Sequence, residues 1–167
     1  MYTNFMKAIL YNPPVCGARI MGSEAYPLLA GSVLFYEANN GTIVVADLTG
    51  LSGQSKMGEP CKLPRFYGFH IHEGSRCMDM QNPNTAFESA GGHWNPTGCE
   101  HPNHAGDLPV LLSNNGVVFS ACYTEAFIPW EVLGHTVIIH EHPDDYHTQP
   151  SGDSGNRIGC GMIVQYC

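Results

Sequence analysis

Positive charge is scarce in this chain: seven lysines and arginines stand against fifteen aspartates and glutamates, a formal charge of −8. Nucleic acid and anionic membrane surfaces attract clustered Lys and Arg, so this balance argues against both as natural partners. No apolar run approaches the ~20 residues of a spanning helix. The opening stretch MYTNFMKAILYNPPVCGARIMG also lacks the continuous apolar core and small-residue cleavage pattern of a secretory leader. The expected setting is therefore the cytoplasm, with an exported form left open. Paired cysteine motifs are missing too. Cys16, Cys61, Cys77, Cys99, Cys122, Cys160 and Cys167 include no C-x-x-C pair, which argues against a structural zinc finger or a thioredoxin-type centre. An odd number of thiols leaves at least one unpaired within a monomer.

Long segments with the 3.6-residue period of an amphipathic helix are likewise few, and what stands in their place is β-like. GSVLFYEANNGTIVVADLTG and LPVLLSNNGVVFSACYTE each set Asn-Gly between β-branched or aromatic runs, the pattern of a hairpin with a type I′ turn. Asn40-Gly41-Thr42 also matches a glycosylation acceptor, but the hairpin position favours the turn. FYGFHIHEG and GHTVIIHEH are two further short strands, and FIPWEVL can supply one helical turn. At 167 residues and 18.2 kDa a single domain spanning residues 1–167 is expected. It should be an all-β antiparallel sandwich or barrel carrying two long irregular loops, ESAGGHWNPTGCEHPNHAGD and EHPDDYHTQPSGDSGN. Loops of that length in a compact domain are usually functional or disordered.

The chemistry-bearing residues gather in these loops and at strand ends. His70 and His72 stand two apart on an expected strand, so their rings leave one face and can converge on an ion; two solvent-facing histidines is the alternative. His140 closes the run HTVIIH just before a long loop. His93, His101, His104 and Asp107 fall within fifteen residues. The last three can point inward from a tight loop as an N,N,O set suited to zinc. Nine histidines outnumber the seven lysines and arginines, and imidazole suits copper and zinc better than calcium or magnesium. Downstream of Arg76 lie ten acidic residues and one permanent cation, Arg157, placed either to recognise a small anion or simply in solvent.

GFHIHEG, SAGGHWNP, HAGDLP, GHTVIIHEHPDD and SGDSGNRIGCGMI, in that order, resemble the copper/zinc superoxide dismutase family, with matching segments from about Ile43 to the C-terminus. The resemblance implies an eight-stranded Greek-key sandwich or barrel, copper and zinc ions as cofactors, and superoxide anion as the substrate. It puts the copper ligands on His70, His72, His93 and His140, and the zinc ligands on His93, His101, His104 and Asp107, so that His93 bridges the two metals and takes part in catalysis. Arg157 matches the family's anion-guiding arginine, and Ser151 a small hydroxyl residue at the channel rim. Asp144 matches a carboxylate that links a copper histidine to a zinc histidine. A disulfide between Cys77 and Cys160 is implied as well, on the pattern of bacterial members, because the position used by eukaryotic members is Phe87 here. Homodimers are common in the family. The run GMIVQYC either joins such an interface or forms an inner strand.

Three points depart from the family pattern. Only two residues separate His101 from His104, and Cys99 is a soft alternative ligand nearby; the complete His-His-Asp pattern favours an unliganded Cys99. The loop from Glu141 to Asn156 contains no Lys or Arg, so only protonated His142 and His147 can help draw in an anion, below about pH 6.5. His135 stands where relatives often have Arg or Lys, and a structural role is expected for it. A non-catalytic copper-binding or metal-delivery domain is the alternative to an enzyme, but such a domain has no use for an anion channel with Arg157 and Ser151. A zinc hydrolase is disfavoured because the motif H-E-x-x-H is absent.

Overall fold

The alternation of buried and exposed positions read from the sequence becomes antiparallel strands in the computed structural model, which describes residues 5–51 and 65–166. Cys61 and Cys167 lie outside the described residues. Among those described, helix α1 (Phe5–Tyr11) precedes nine strands: β1 (Cys16–Gly22), β2 (Ala30–Ala38), β3 (Gly41–Leu51), β4 (Arg65–Tyr67), β5 (Phe69–His72), β6 (Leu111–Ser113), β7 (Gly116–Thr124), β8 (Thr136–His140) and β9 (Arg157–Gln165). Seven of them form one sheet in the order β5-β8-β9-β1-β2-β3-β7, and β4 pairs with β6. None of the described helices is long and apolar enough to cross a membrane.

The two sheets are joined at both edges, which closes the wall into a barrel. At one edge β6 turns into β7 through Asn115-Gly116, with Asn114 bridged to Val117 and positive φ at both turn residues, 51° and 86°, as a type I′ turn requires. At the other edge β4 continues into β5 through Gly68 alone. Counted as one interrupted strand, these give the eight that were expected. The break has a local cause: the Gly68 amide donates to His142 O (2.7 Å), while Gly68 O accepts from the His140 amide (2.9 Å). The chain β7 to β8 crosses between non-neighbouring strands, the Greek-key step.

Val33, Phe35, Val44, Ala46 and Leu48 fill the barrel with Ile71, Val137 and Ile139. β8 is buried at all five positions because its outer face is covered too. There Ile138 packs with Ala86, Phe87, Ala90 and Cys160 beneath the loop that leaves β5. Burial of this kind is the main driving force for the fold. α1 was not anticipated; it lies on the outer face of the sheet, where Ala8 and Ile9 pack against Tyr36, Ala38, Ile43 and Val45, and Phe5 stacks on Tyr123. FIPWEVL does supply a single 3-10 turn, Pro129–Val132.

Candidate metal centre

Strand parity places the first group of imidazoles. Phe69 and Ile71 of β5 enter the core, so His70 and His72 leave the opposite face. On β8 the same reasoning sends Thr136, Ile138 and His140 outward, beside β5. The loop after β5 is then sewn back onto that strand: the Ile71 amide donates to Gly106 O (2.9 Å) and Ile71 O accepts from the Trp94 amide (2.8 Å). Isolated bridges pair His72 with His93 and His70 with Asp107. The result is two clusters of ligand atoms, each within 4.8 Å of one another: His70, His72, His93 and His140, and His93, His101, His104 and Asp107. His93 belongs to both.

The outer hydrogen bonds fix which ring nitrogens face inward. His72 Nδ1 donates to Gly91 O (2.9 Å) and His140 Nδ1 to Gly155 O (3.3 Å), and because a carbonyl only accepts, each Nε2 keeps its lone pair. These two Nε2 atoms face each other at 3.2 Å. His70 is turned the other way: its Nε2 donates to Asp144 Oδ2 (2.8 Å), leaving Nδ1 buried without a partner. Asp144 Oδ1 accepts from His101 Nε2 (2.9 Å), so one carboxylate orients a ring of each cluster. His101 Nδ1 and His104 Nδ1 lie 3.0 and 3.3 Å from Asp107 Oδ2 yet make no hydrogen bond, and His93 Nε2 is also unpartnered. Buried polar atoms without partners are uncommon and call for an explanation. Four of them, all imidazole nitrogens turned toward two shared foci, fit a pair of metal ions with nitrogen-rich shells.

The electrostatics agree. Burial pushes the His70 ring down to about 4, against the upward pull of Asp144. His72 is held well below the ordinary imidazole range by burial and by neighbouring His140 and His93, and His140 by burial and by His70. These rings stay neutral and available as ligands. Burial alone would raise the Asp144 carboxyl, but hydrogen bonds from His70, the Tyr146 amide and His101 hold it down at about 2. Asp107 is also lowered: burial opposes this, and the hydrogen bond from His93, the neighbouring His93 and His101 rings and the His104 amide together outweigh it.

A cleft of about 430 Å³ opens onto the first cluster, lined by His72, His93, His140, Ser151, Gly155 and Arg157 among others. Arg157 is opposite His140 in the β8–β9 register, and its guanidinium is held by Phe87 O and Gly91 O, both at 2.6 Å. It is therefore half-buried and fixed, not free in solvent. The Cys77–Cys160 disulfide is present and ties the loop carrying Phe87 to β9. Cys99 is exposed and stays out of both clusters, with its sulfur 3.3 Å from Thr97 Oγ1. His135 is structural, hydrogen-bonded to Glu73 O (2.9 Å) and packed on Trp94. Protonated His147 would sit against Asp145 at 2.9 Å, so it offsets a local anion instead of adding a free cation. The backbone acceptors Gly91 O and Gly155 O escaped the sequence reading because any residue type offers a carbonyl. Glu73 escaped it although it stands inside HIHEG.

The sequence profile of copper/zinc superoxide dismutase matches residues 29–163. A Cu-Zn superoxide dismutase from Deinococcus radiodurans is 32% identical over 152 residues, covering 81% of this chain and 77% of that protein. One from Neisseria meningitidis is 32% identical over 146 residues, covering 80% and 73%. Among solved structures, the Cu/Zn superoxide dismutase from Brucella abortus matches with a TM-score of 0.69 at 25% identity, over 87% of this chain and 97% of that one.

Proposed function

The chain belongs to the copper/zinc superoxide dismutase family, and from that premise we propose that it converts two superoxide anions and two protons to dioxygen and hydrogen peroxide. Copper would be held by His70, His72, His93 and His140, and zinc by His93, His101, His104 and Asp107. When bound, copper supplies the one-electron redox couple, and zinc, which has no redox chemistry, organises the loop. Arg157 binds the anion at the mouth of the cleft through guanidinium donors not taken by Phe87 O and Gly91 O. Ser151 lines the same rim. His93 Nε2, turned toward the first cluster, holds and releases a proton between the two half-reactions. Asp144 keeps the His70 and His101 protons on their outer nitrogens.

The observation that carries this reading is the placement of Arg157 and Ser151 in one cleft with His72, His93 and His140. A domain that only stored or delivered copper would need the rings and not the cation. The test is metal analysis of purified protein with a superoxide-consumption assay on wild type and Arg157→Ala. Loss of the cation should lower kcat/KM about tenfold or more at unchanged metal content. Full activity in the variant would remove that role from Arg157, and copper-loaded wild type without activity would leave the metal-binding domain as the answer.

The proposal extends to a homodimer. β9 is an inner strand between β8 and β1, but Met162 and Val164 on it and Tyr166 just beyond its end are about half exposed, an apolar row suited to a second copy. It also extends to a cytoplasmic location, in support of which Cys160 is fully buried, so that only the partly exposed Cys77 side of the disulfide is open to a reducing thiol.

A further inference from the structure

Arg157 and one histidine of the first cluster share an acceptor. Gly91 O receives His72 Nδ1 at 2.9 Å and Arg157 Nη2 at 2.6 Å. The peptide unit that owns this oxygen also owns the Gly92 amide, which donates to Glu73 Oε1 at 3.2 Å. Glycines flank that peptide on both sides, with Gly91 at φ 72° and ψ −157°, so the chain itself offers little resistance to rotation of the peptide plane. Glu73 is well anchored: its own amide donates to Gly92 O (2.9 Å) and its carbonyl accepts from His135 Nδ1 (2.9 Å). Its side chain lies across Gly91, where a Cβ would come within 2.7 Å of Glu73 Cγ.

We propose that Glu73 is a positioning residue, whose carboxylate locks the Gly91–Gly92 peptide so that one carbonyl aims both the His72 ring and the Arg157 guanidinium into the cleft. A charged acceptor at the N–H end of a peptide polarises it and strengthens its oxygen as an acceptor. The orientation of the copper-side ring and that of the substrate-binding cation are thereby set together. Rotation of this single peptide would release both. The proposal rests on the reading that His72 holds copper and Arg157 receives an anion.

The test compares Glu73→Ala and Glu73→Gln in the copper- and zinc-loaded protein by two readouts, the Cu(II) EPR spectrum and the dissociation constant of azide as an anion probe. The alanine variant should show an altered spectrum and azide binding weakened about fivefold or more, the effect of losing one net hydrogen bond. The glutamine variant keeps an acceptor oxygen and should lie closer to wild type in both. An alanine variant matching wild type in spectrum and azide affinity would overturn the proposal, as would a glutamine variant as impaired as alanine. Amide exchange at Gly92 in the zinc-only wild-type protein gives a third measurement that needs neither copper nor a variant. Strong protection supports the lock, and free exchange there overturns it. Wild type that takes up no copper would defeat the dismutase reading, and the zinc-only measurement would still judge the lock separately.

Discussion

Replacing Asp144 with asparagine should damage the copper site more than the zinc site, although the carboxylate touches one ring of each. Oδ1 accepts from His101 Nε2 (2.9 Å) and from the Tyr146 amide (2.7 Å), while Oδ2 accepts from His70 Nε2 alone (2.8 Å). An amide offers one acceptor oxygen and one donor nitrogen. With its oxygen in the place of Oδ1, a single donor–donor conflict arises, at His70. Turned over, it meets two, at His101 and at Tyr146. Each buried donor left unsatisfied costs about 1–3 kcal/mol, so the second orientation is held to about a sixth of the population or below. His70 can relieve its conflict only by moving a proton to Nδ1, the nitrogen that must face the metal. Losing such an outer partner weakens a metal by about 10–100-fold. Competition titrations with a chromophoric chelator, run separately for copper and zinc on metal-free Asp144→Asn, should show that loss for copper and a much smaller one for zinc. Zinc affinity falling as far as copper affinity would refute the orientation argument.

The metal-free protein should lose stability in acid in two stages. His70, His72 and His140 have folded pKa values below the ordinary 6.5, so below that pH the unfolded chain binds more protons; their effect is nil above about 6.5 and destabilising as pH falls toward about 4, where His70 titrates. For His70 alone that gap corresponds to on the order of 3 kcal/mol. Asp144, ordinarily near 3.8 and here about 2, adds stability above 3.8 that disappears as pH falls toward 2. Denaturant midpoints that stay level from pH 8 to 4 would contradict the first stage. Removing the Cys77–Cys160 bridge, which closes a sequence separation of 83, should cost about 4.5 kcal/mol by the chain-entropy estimate, measured by urea unfolding of Cys160→Ala against wild type; a loss under about 1 kcal/mol would count against it. Gly152→Ala and Gly134→Ala form a matched pair, because both glycines have positive φ, 69° and 83°, but only at Gly152 would the new methyl run into Asp144 Oδ1 and come within 2.8 Å of His101 Nε2. Both should pay about 1–2 kcal/mol for the left-handed backbone, and only Gly152→Ala should also weaken zinc; equal metal affinity in the two variants would refute the steric account.

Side chains with distinctive chemistry made much of the site legible in the sequence. The spacing His70-x-His72 on a strand, His140 at a strand end and the cluster from His93 to Asp107 put candidate donors in view, and the folded chain brings all seven into two adjoining groups. What decides their orientation was less visible, since Gly91 O, Gly155 O and the Gly92 amide carry no residue-type signal. The hairpins show the same division. Asn115-Gly116 is the expected I′ turn, but in the first hairpin the turn residues are Asn39 and Asn40, and Gly41 is already paired with Ala38. Glycine is needed there because a Cβ would collide with Thr124 O on the adjacent β7, a contact between strands far apart in sequence. α1 stayed hidden because seven residues span barely two turns, too few for a periodic signal.

The register of β8 and β9 sets His140 directly across from Arg157, so the chain between them leaves the barrel wall and returns to it one strand spacing away. The spacing between the Arg157 and His140 backbones is thus dictated by the ladder and is indifferent to how long the intervening excursion becomes. Lengthening such an excursion adds only a slowly growing entropic term. Provided that Asp144 and Ser151 keep their places, this segment is a natural site for grafting: cationic stretches borrowed from other scaffolds could be spliced in to retune substrate capture while the reacting geometry stays put.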